Sequence, residues 1–266
     1  MSSPEILTRL QGTTITITID PSPDYPLHGG LTRWEIMSKV HERAHIPNQR
    51  DVTNGLGPAY VAGKFLCRPA SPGNPNLLSF MRIYKQIPIA GTEFEKAPIR
   101  AAQVVKSHEP TELTAFKSLK EKGCDVIPQL LGYQSDQQDE DDTVPGGFIT
   151  YVMWEKVPGE SLKWEEFWGS SFFERQEIRL KFHEVYEKVE ACGYILRTGM
   201  RKIVYHWPTK TMHLSGLPHA TSTPEGARWS DSRYVNYGLV RPPTAMDQIF
   251  PIRSVDLQCD DKGWRW

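Results

Sequence analysis

Nowhere in this sequence do two cysteines stand close together. Cys67, Cys124, Cys192 and Cys259 are scattered over 266 residues without a C-x-x-C pair, which argues against a zinc knuckle or a thioredoxin-type site and reads as reduced, partly buried thiols. His206, His213 and His219 lie nearer to one another, but their spacing fits neither one helical face nor a zinc signature, so no metal site is expected. Long apolar runs are missing too. None approaches the roughly 18 to 20 residues needed to cross a bilayer, and the first twenty residues lack the basic start, apolar stretch and cleavage site of a secretory signal. A cytoplasmic protein without a membrane partner is expected. Charge of one sign is also lacking: 31 basic residues against 32 acidic leave a formal charge of -1, which gives nucleic acid no general attraction. No internal repeat is visible.

What is present is enough chain for a substantial core without disulfides. Tyr60 to Cys67 and Leu77 to Ile87 read as strands around a Pro/Gly/Asn-rich turn, Arg68 to Asn76. Pro110 to Lys122 reads as a helix stopped by Gly123. Val126 to Tyr133 and Phe148 to Trp154 read as two more strands, and the acidic stretch Asp136 to Asp142 between them as a solvated connection. Trp164 to Trp168 and Phe173 to Cys192 read as helices. The second has Ile178, Phe182, Val185 and Val189 on one stripe and is closed by Gly193. Lys202 to His206 and Thr211 to Leu214 then flank a hairpin turn. The Pro-containing stretches at 21–26 and 242–243 read as loops, and no long helix is expected in the last fifty residues.

This order, over about Asn54 to Ala220, resembles the protein-kinase-like superfamily, especially the fungal proteins related to aminoglycoside phosphotransferases. Met81-Arg82-Ile83-Tyr84-Lys85 is similar to the strand that presents the nucleotide lysine, and Glu109-Pro110-Thr111-Glu112 to the helix carrying its partner glutamate. Glu112 is the expected partner of Lys85, with Glu109 competing. Tyr151 to Leu162 is similar to the hinge between the lobes, and Asn54-Gly55-Leu56-Gly57-Pro58 to a trace of the glycine-rich loop, although it lacks the third glycine. The resemblance implies an α+β chain with a reduced, two-lobed kinase-like fold: an N-terminal extension and β-rich lobe over 1–157, and a shortened helical lobe with an irregular tail over 158–266.

The catalytic segments depart from the family. Phosphoryl transfer is mostly positioning and charge neutralisation, and it needs acids beside the attacking hydroxyl and the metal ions. Where the base should stand is Thr198, Lys202 falls near the metal-binding amide, and Leu214-Ser215-Gly216-Leu217 replaces the metal aspartate. From Gly193 through Ala227 the only acidic residue is Glu225, so no small shift in alignment restores a magnesium site. The expected function is a kinase-like fold without phosphotransfer, needing no cofactor. Its cleft would bind a small apolar metabolite through Lys85, Glu112, Met153, Trp154 and Tyr194. Arg197, Tyr205 and His213 would polarise a substrate carbonyl in a non-covalent cyclisation of the pericyclase or Diels-Alderase kind, in fungal specialised metabolism. The rivals are a pseudokinase acting through a protein partner and a divergent small-molecule phosphotransferase.

Overall fold

The computed structural model describes residues 5–19, 30–70, 77–242, 258–260 and 262–266. The proline- and glycine-rich stretches at 21–26 and 71–76, and Pro243, lie outside them. The chain is a mixed α and β protein that divides into two compact units, Met1–Leu113 with Leu130–Lys156, and Thr114–Gln129 with Val157–Trp266.

The first unit is built on strands β1 (Thr14–Ile19), β2 (Gly30–His45), β3 (Tyr60–Pro69), β4 (Ser79–Gln86), β5 (Leu130–Gln137) and β6 (Phe148–Glu155), with short helices α1 (Gln49–Thr53) and α2 (Ala97–Ala101). The strands close into a barrel in the order β1-β2-β3-β4-β6-β5, every pair antiparallel. Closure comes at Ile19 opposite Gly132. A Cβ at Gly132 would run into the Thr18 carbonyl, so only glycine lets the two backbones meet there. Two register shifts in β2 and one between β5 and β6 supply the bends that closure needs.

Side chains alternate across each strand. Met81, Ile83 and Met153 point inward with Ile17, Trp34, Ile36, Val61, Phe65 and Leu131 to form the barrel core. Two of the six strands, β1 and β2, come before Asn54, where the resemblance begins. The acidic connection is also anchored rather than merely solvated. Val144, just past it, is fully buried, Gln138 Nε2 donates to the Gln86 carbonyl (2.9 Å), and Gln138 Oε1 accepts from the Val144 amide (3.1 Å).

Helix α3 (Thr111–Glu121) fills the position expected for it, and the boundary between the units falls within it at Leu113. In the second unit follow β7 (Glu160–Ser161), α4 (Trp164–Gly169), α5 (Phe172–Ala191), β8 (Tyr194–Leu196), β9 (Ile203–His206), β10 (Thr211–Leu214), β11 (Ala220–Ser222) and α6 (Ser232–Asn236). Ser171 caps α5 in a reciprocal capping box with Glu174. Its apolar stripe, Ile178, Phe182, Val185 and Val189, is buried, and Phe182 packs against Tyr237 at 4.6 Å between ring centres. The strand expected from Val126 starts only at Leu130. Pro128 has no amide to donate, and the Val126 carbonyl accepts from Leu214 instead (2.9 Å).

Candidate functional site

Strand parity decides which residues of the first unit can meet. In β4 the even positions Phe80, Arg82, Tyr84 and Gln86 face away from the barrel core, and in β6 so do Phe148, Thr150, Val152 and Trp154, while Lys85 shares the inward parity of Met81 and Ile83. The expected Lys85–Glu112 pair therefore does not form. Lys85 Nζ pairs with Asp142 Oδ1 in the β5–β6 connection. Glu112 takes Arg82 instead: Arg82 Nη1 donates to Oε1 (2.7 Å) and the Tyr84 hydroxyl donates to Oε2 (3.0 Å).

All three members of this network are buried. Burial opposes the Arg82 charge, but the Glu112 carboxylate and Tyr84 more than offset it, and its pKa is raised above the usual guanidinium value. Burial, reinforced by the Glu112 charge, pushes the Tyr84 phenol well above its ordinary range. The Arg82 guanidinium also lies 5.4 Å from the Trp154 ring centre, a cation–π contact. Beside it, Tyr60 is flanked by His45 and His108 at 5.3 and 5.4 Å between ring centres, and His108 packs on Phe148 at 4.9 Å. Burial first, and the neighbouring His45 second, lower the His108 pKa. Of the other expected ligand residues here, Trp154 belongs to this outer face, but Met153 is fully enclosed in the barrel core. Sequence reasoning missed Arg82. Its parity was the signal, because a helix packed on the outer face can be reached only from even positions of β4.

The second unit holds the segment where catalytic acids were sought. Thr198 Oγ1 donates to the Tyr237 hydroxyl (2.9 Å), which donates in turn to the Leu196 carbonyl (3.0 Å). Burial raises the Tyr237 phenol far above its normal range, so it stays protonated and fixed in this relay. Gly216 approaches from the other side with φ 102; a Cβ there would come within 2.6 Å of Thr198 Cγ2. Ser215 donates from both its amide (2.8 Å) and its hydroxyl (3.1 Å) to the Lys202 carbonyl. These hydrogen bonds join neutral groups.

Arg197, Tyr205 and His213 do not converge. In the β9–β10 hairpin Tyr205 lies opposite Met212 and Val204 opposite His213, so Tyr205 and His213 sit on opposite faces. Tyr205 is buried with Met212, Ile203 and Leu214. His213 has a buried Nδ1 without a hydrogen-bond partner among the described residues, and burial lowers its pKa. Arg197 is exposed just past β8, and Tyr194 begins that strand half-buried. Within the hinge-like phrase lies Gly159, whose Cβ would strike the Tyr205 carbonyl. There the chain forms β7, with Glu160 opposite Tyr205 and Ser161 opposite Val204, before reaching α4.

Among the described residues no group of three or more His, Cys, Asp or Glu side chains is placed to hold a metal ion, and no helix is long and apolar enough to span a membrane. No protein-family model matches the chain, and no curated protein does. Among solved structures, the kinase PK-1 of Cydia pomonella granulovirus is similar over 74% of this chain and 55% of its own length, with 7% identity and a TM-score of 0.42. The chain spans about half the length of that kinase.

Proposed function

We propose that this chain is a kinase-like scaffold that has given up phosphoryl transfer and acts by binding. The observation that carries this reading is the Arg82–Glu112–Tyr84 network. In the family that the strand and helix motifs resemble, the helix glutamate orients a lysine toward phosphate. Here the glutamate is taken by a buried arginine, and Lys85 is drawn to Asp142. The neutral Thr198–Tyr237 relay, in a segment without an acid from Gly193 to Pro224, supports the same reading from the other unit. ADP formed from Mg-ATP by the purified chain is the test. The expected rate equals that of a protein-free blank; turnover above the blank that Glu112→Gln abolishes would overturn the reading.

Contact with a protein partner fits better than a cyclisation site, because the three donors proposed for such chemistry do not face one substrate. The registers place His45, Tyr60 and Gln86 at one end of the barrel, and the loops there leave Ile46, Leu56, Phe94 and Ile99 exposed, Phe94 completely. The Ala90 amide donates to the Pro47 carbonyl (3.0 Å), and His45 Nε2 lies 3.2 Å from the Leu56 carbonyl, which holds these loops together. Apolar side chains gathered at one end are a feature of interaction surfaces. A protein that copurifies in fixed stoichiometry and is lost in Phe94→Asp supports contact. A small molecule released on denaturation would return the metabolite reading to first place.

A further inference from the structure

The helices α3 and α5 end side by side in the second unit, and each end carries a cysteine. Cys124 follows Gly123 just past α3, and its amide donates to the Leu119 carbonyl (3.0 Å). Cys192 caps α5, its amide donating to the Lys188 carbonyl (3.1 Å). Two contacts fix the ends against each other independently of the sulfurs: Lys122 Nζ donates to the Cys192 carbonyl (2.8 Å) and Lys188 Nζ lies 3.7 Å from Asp125 Oδ2. The Cys192 thiol is near enough to Cys124 to add to the rise of its pKa. Both are reduced, Cys124 buried and Cys192 half-buried.

We propose that Cys124 and Cys192 form an oxidisable pair, a modification site whose co-reactant is hydrogen peroxide and whose product is a disulfide joining the ends of α3 and α5. The half-buried Cys192 reacts first. Its sulfur attacks the peroxide O–O bond, an S–O bond forms, and the leaving oxygen departs as water with the thiol proton. The Cys124 sulfur then attacks the resulting sulfenic acid; the S–S bond forms, the S–O bond breaks, and a second water leaves with the Cys124 proton. Two thiols are oxidised and one peroxide is reduced to two waters.

The order follows from the surroundings. Burial, with the neighbouring Cys192 thiol adding to it, pushes the Cys124 pKa up to about 12, so Cys124 meets oxidant poorly but can resolve a sulfenic acid formed at the adjoining helix end. Cys67 is fully enclosed in the barrel core, and Cys259 is exposed without a cysteine neighbour among the described residues. Because the bond would close a long chain segment, it should raise the melting temperature by roughly 5 to 10 °C.

The experiment treats the full chain, carrying Cys259→Ser to silence the exposed thiol, with stepwise hydrogen peroxide, then maps peptides without reduction and records melting. The expected result is a Cys124–Cys192 linked peptide, a higher melting temperature, and reversal of both by dithiothreitol. In Cys124→Ser the reaction should stop at a Cys192 sulfenic acid that a dimedone probe traps, and Cys192→Ser should resist low peroxide. Oxygen adducts on Cys192 with no linked peptide when Cys124 is present would overturn the proposal, as would equal reactivity of Cys124 and Cys192 in the two single variants.

Discussion

The two units handle charge in different ways. The first commits its charged side chains to partners inside its own fold, Arg82 to Glu112 and Lys85 to Asp142. The second has no acidic residue from Gly193 to Pro224, and the Thr198 and Tyr237 hydroxyls bond each other and the Leu196 carbonyl there. The same contrast holds for buried arginines. Arg82 has a carboxylate. Arg179, 1% exposed, has none among the described residues: Nη1 donates to the Leu239 carbonyl (3.1 Å), Nε to Gln176 (3.1 Å), and the rings of Phe167, Phe172 and Trp266 lie 5.6 to 5.9 Å away. Burial, with the Arg175 charge beside it, lowers the Arg179 pKa to about 10. A sequestered pair can be broken by one substitution; a missing group cannot.

The largest effect should therefore come from the first unit. Glu112→Ala leaves the Arg82 charge buried and unpaired, and urea unfolding should show a loss of about 3–5 kcal/mol, whereas Arg82→Met with Glu112→Leu should cost far less than the single change. Equal losses in the single and double variants would mean that packing, not charge, holds the network. In the second unit, Tyr237→Phe removes the link between Thr198 and the Leu196 carbonyl and should cost about 1–2 kcal/mol in the same assay.

Arg179→Met should change stability by roughly 1 kcal/mol or less, because removing an uncompensated buried charge offsets the lost carbonyl bond. A loss near that of Glu112→Ala would erase the distinction drawn between the two arginines. The smallest effect is on pH dependence. His108 and His213 both have pKa values lowered by burial, so each binds protons more readily in the unfolded chain. Stability should fall as pH drops below the unfolded value of about 6.5 and level off once the folded value is passed. Replacing either histidine by glutamine should flatten part of that slope in unfolding curves taken at a series of pH values.

Much of the strand and helix order was legible in the sequence, for reasons particular residues make plain. Strands β3, β4 and β6 alternate or cluster apolar residues, and α5 carries its stripe between a serine cap and a glycine stop. The strand β2 was hidden because its register shifts twice and Lys39, His41, Glu42 and Arg43 crowd its second half. Glu42 there is a structural anchor, accepting from the backbone amides of Ile6 (2.6 Å) and Leu7 (3.0 Å). The stretch without acids from Gly193 to Pro224 was legible directly. The partner of Glu112 was misread because motif order was weighed and strand parity was not. Cys124 and Cys192 could not be paired from sequence, since only the meeting of two helix ends brings them together.

Calorimetric titration of the wild-type chain with ATP, with and without magnesium, tests most directly whether both units have left phosphate chemistry. With Lys85 and Arg82 paired internally and no group of acids placed to hold a metal among the described residues, the account predicts no saturable heat and no gain from magnesium. Saturable, magnesium-dependent binding, accompanied by the rise in melting temperature that a ligand of the folded state must produce, would contradict it.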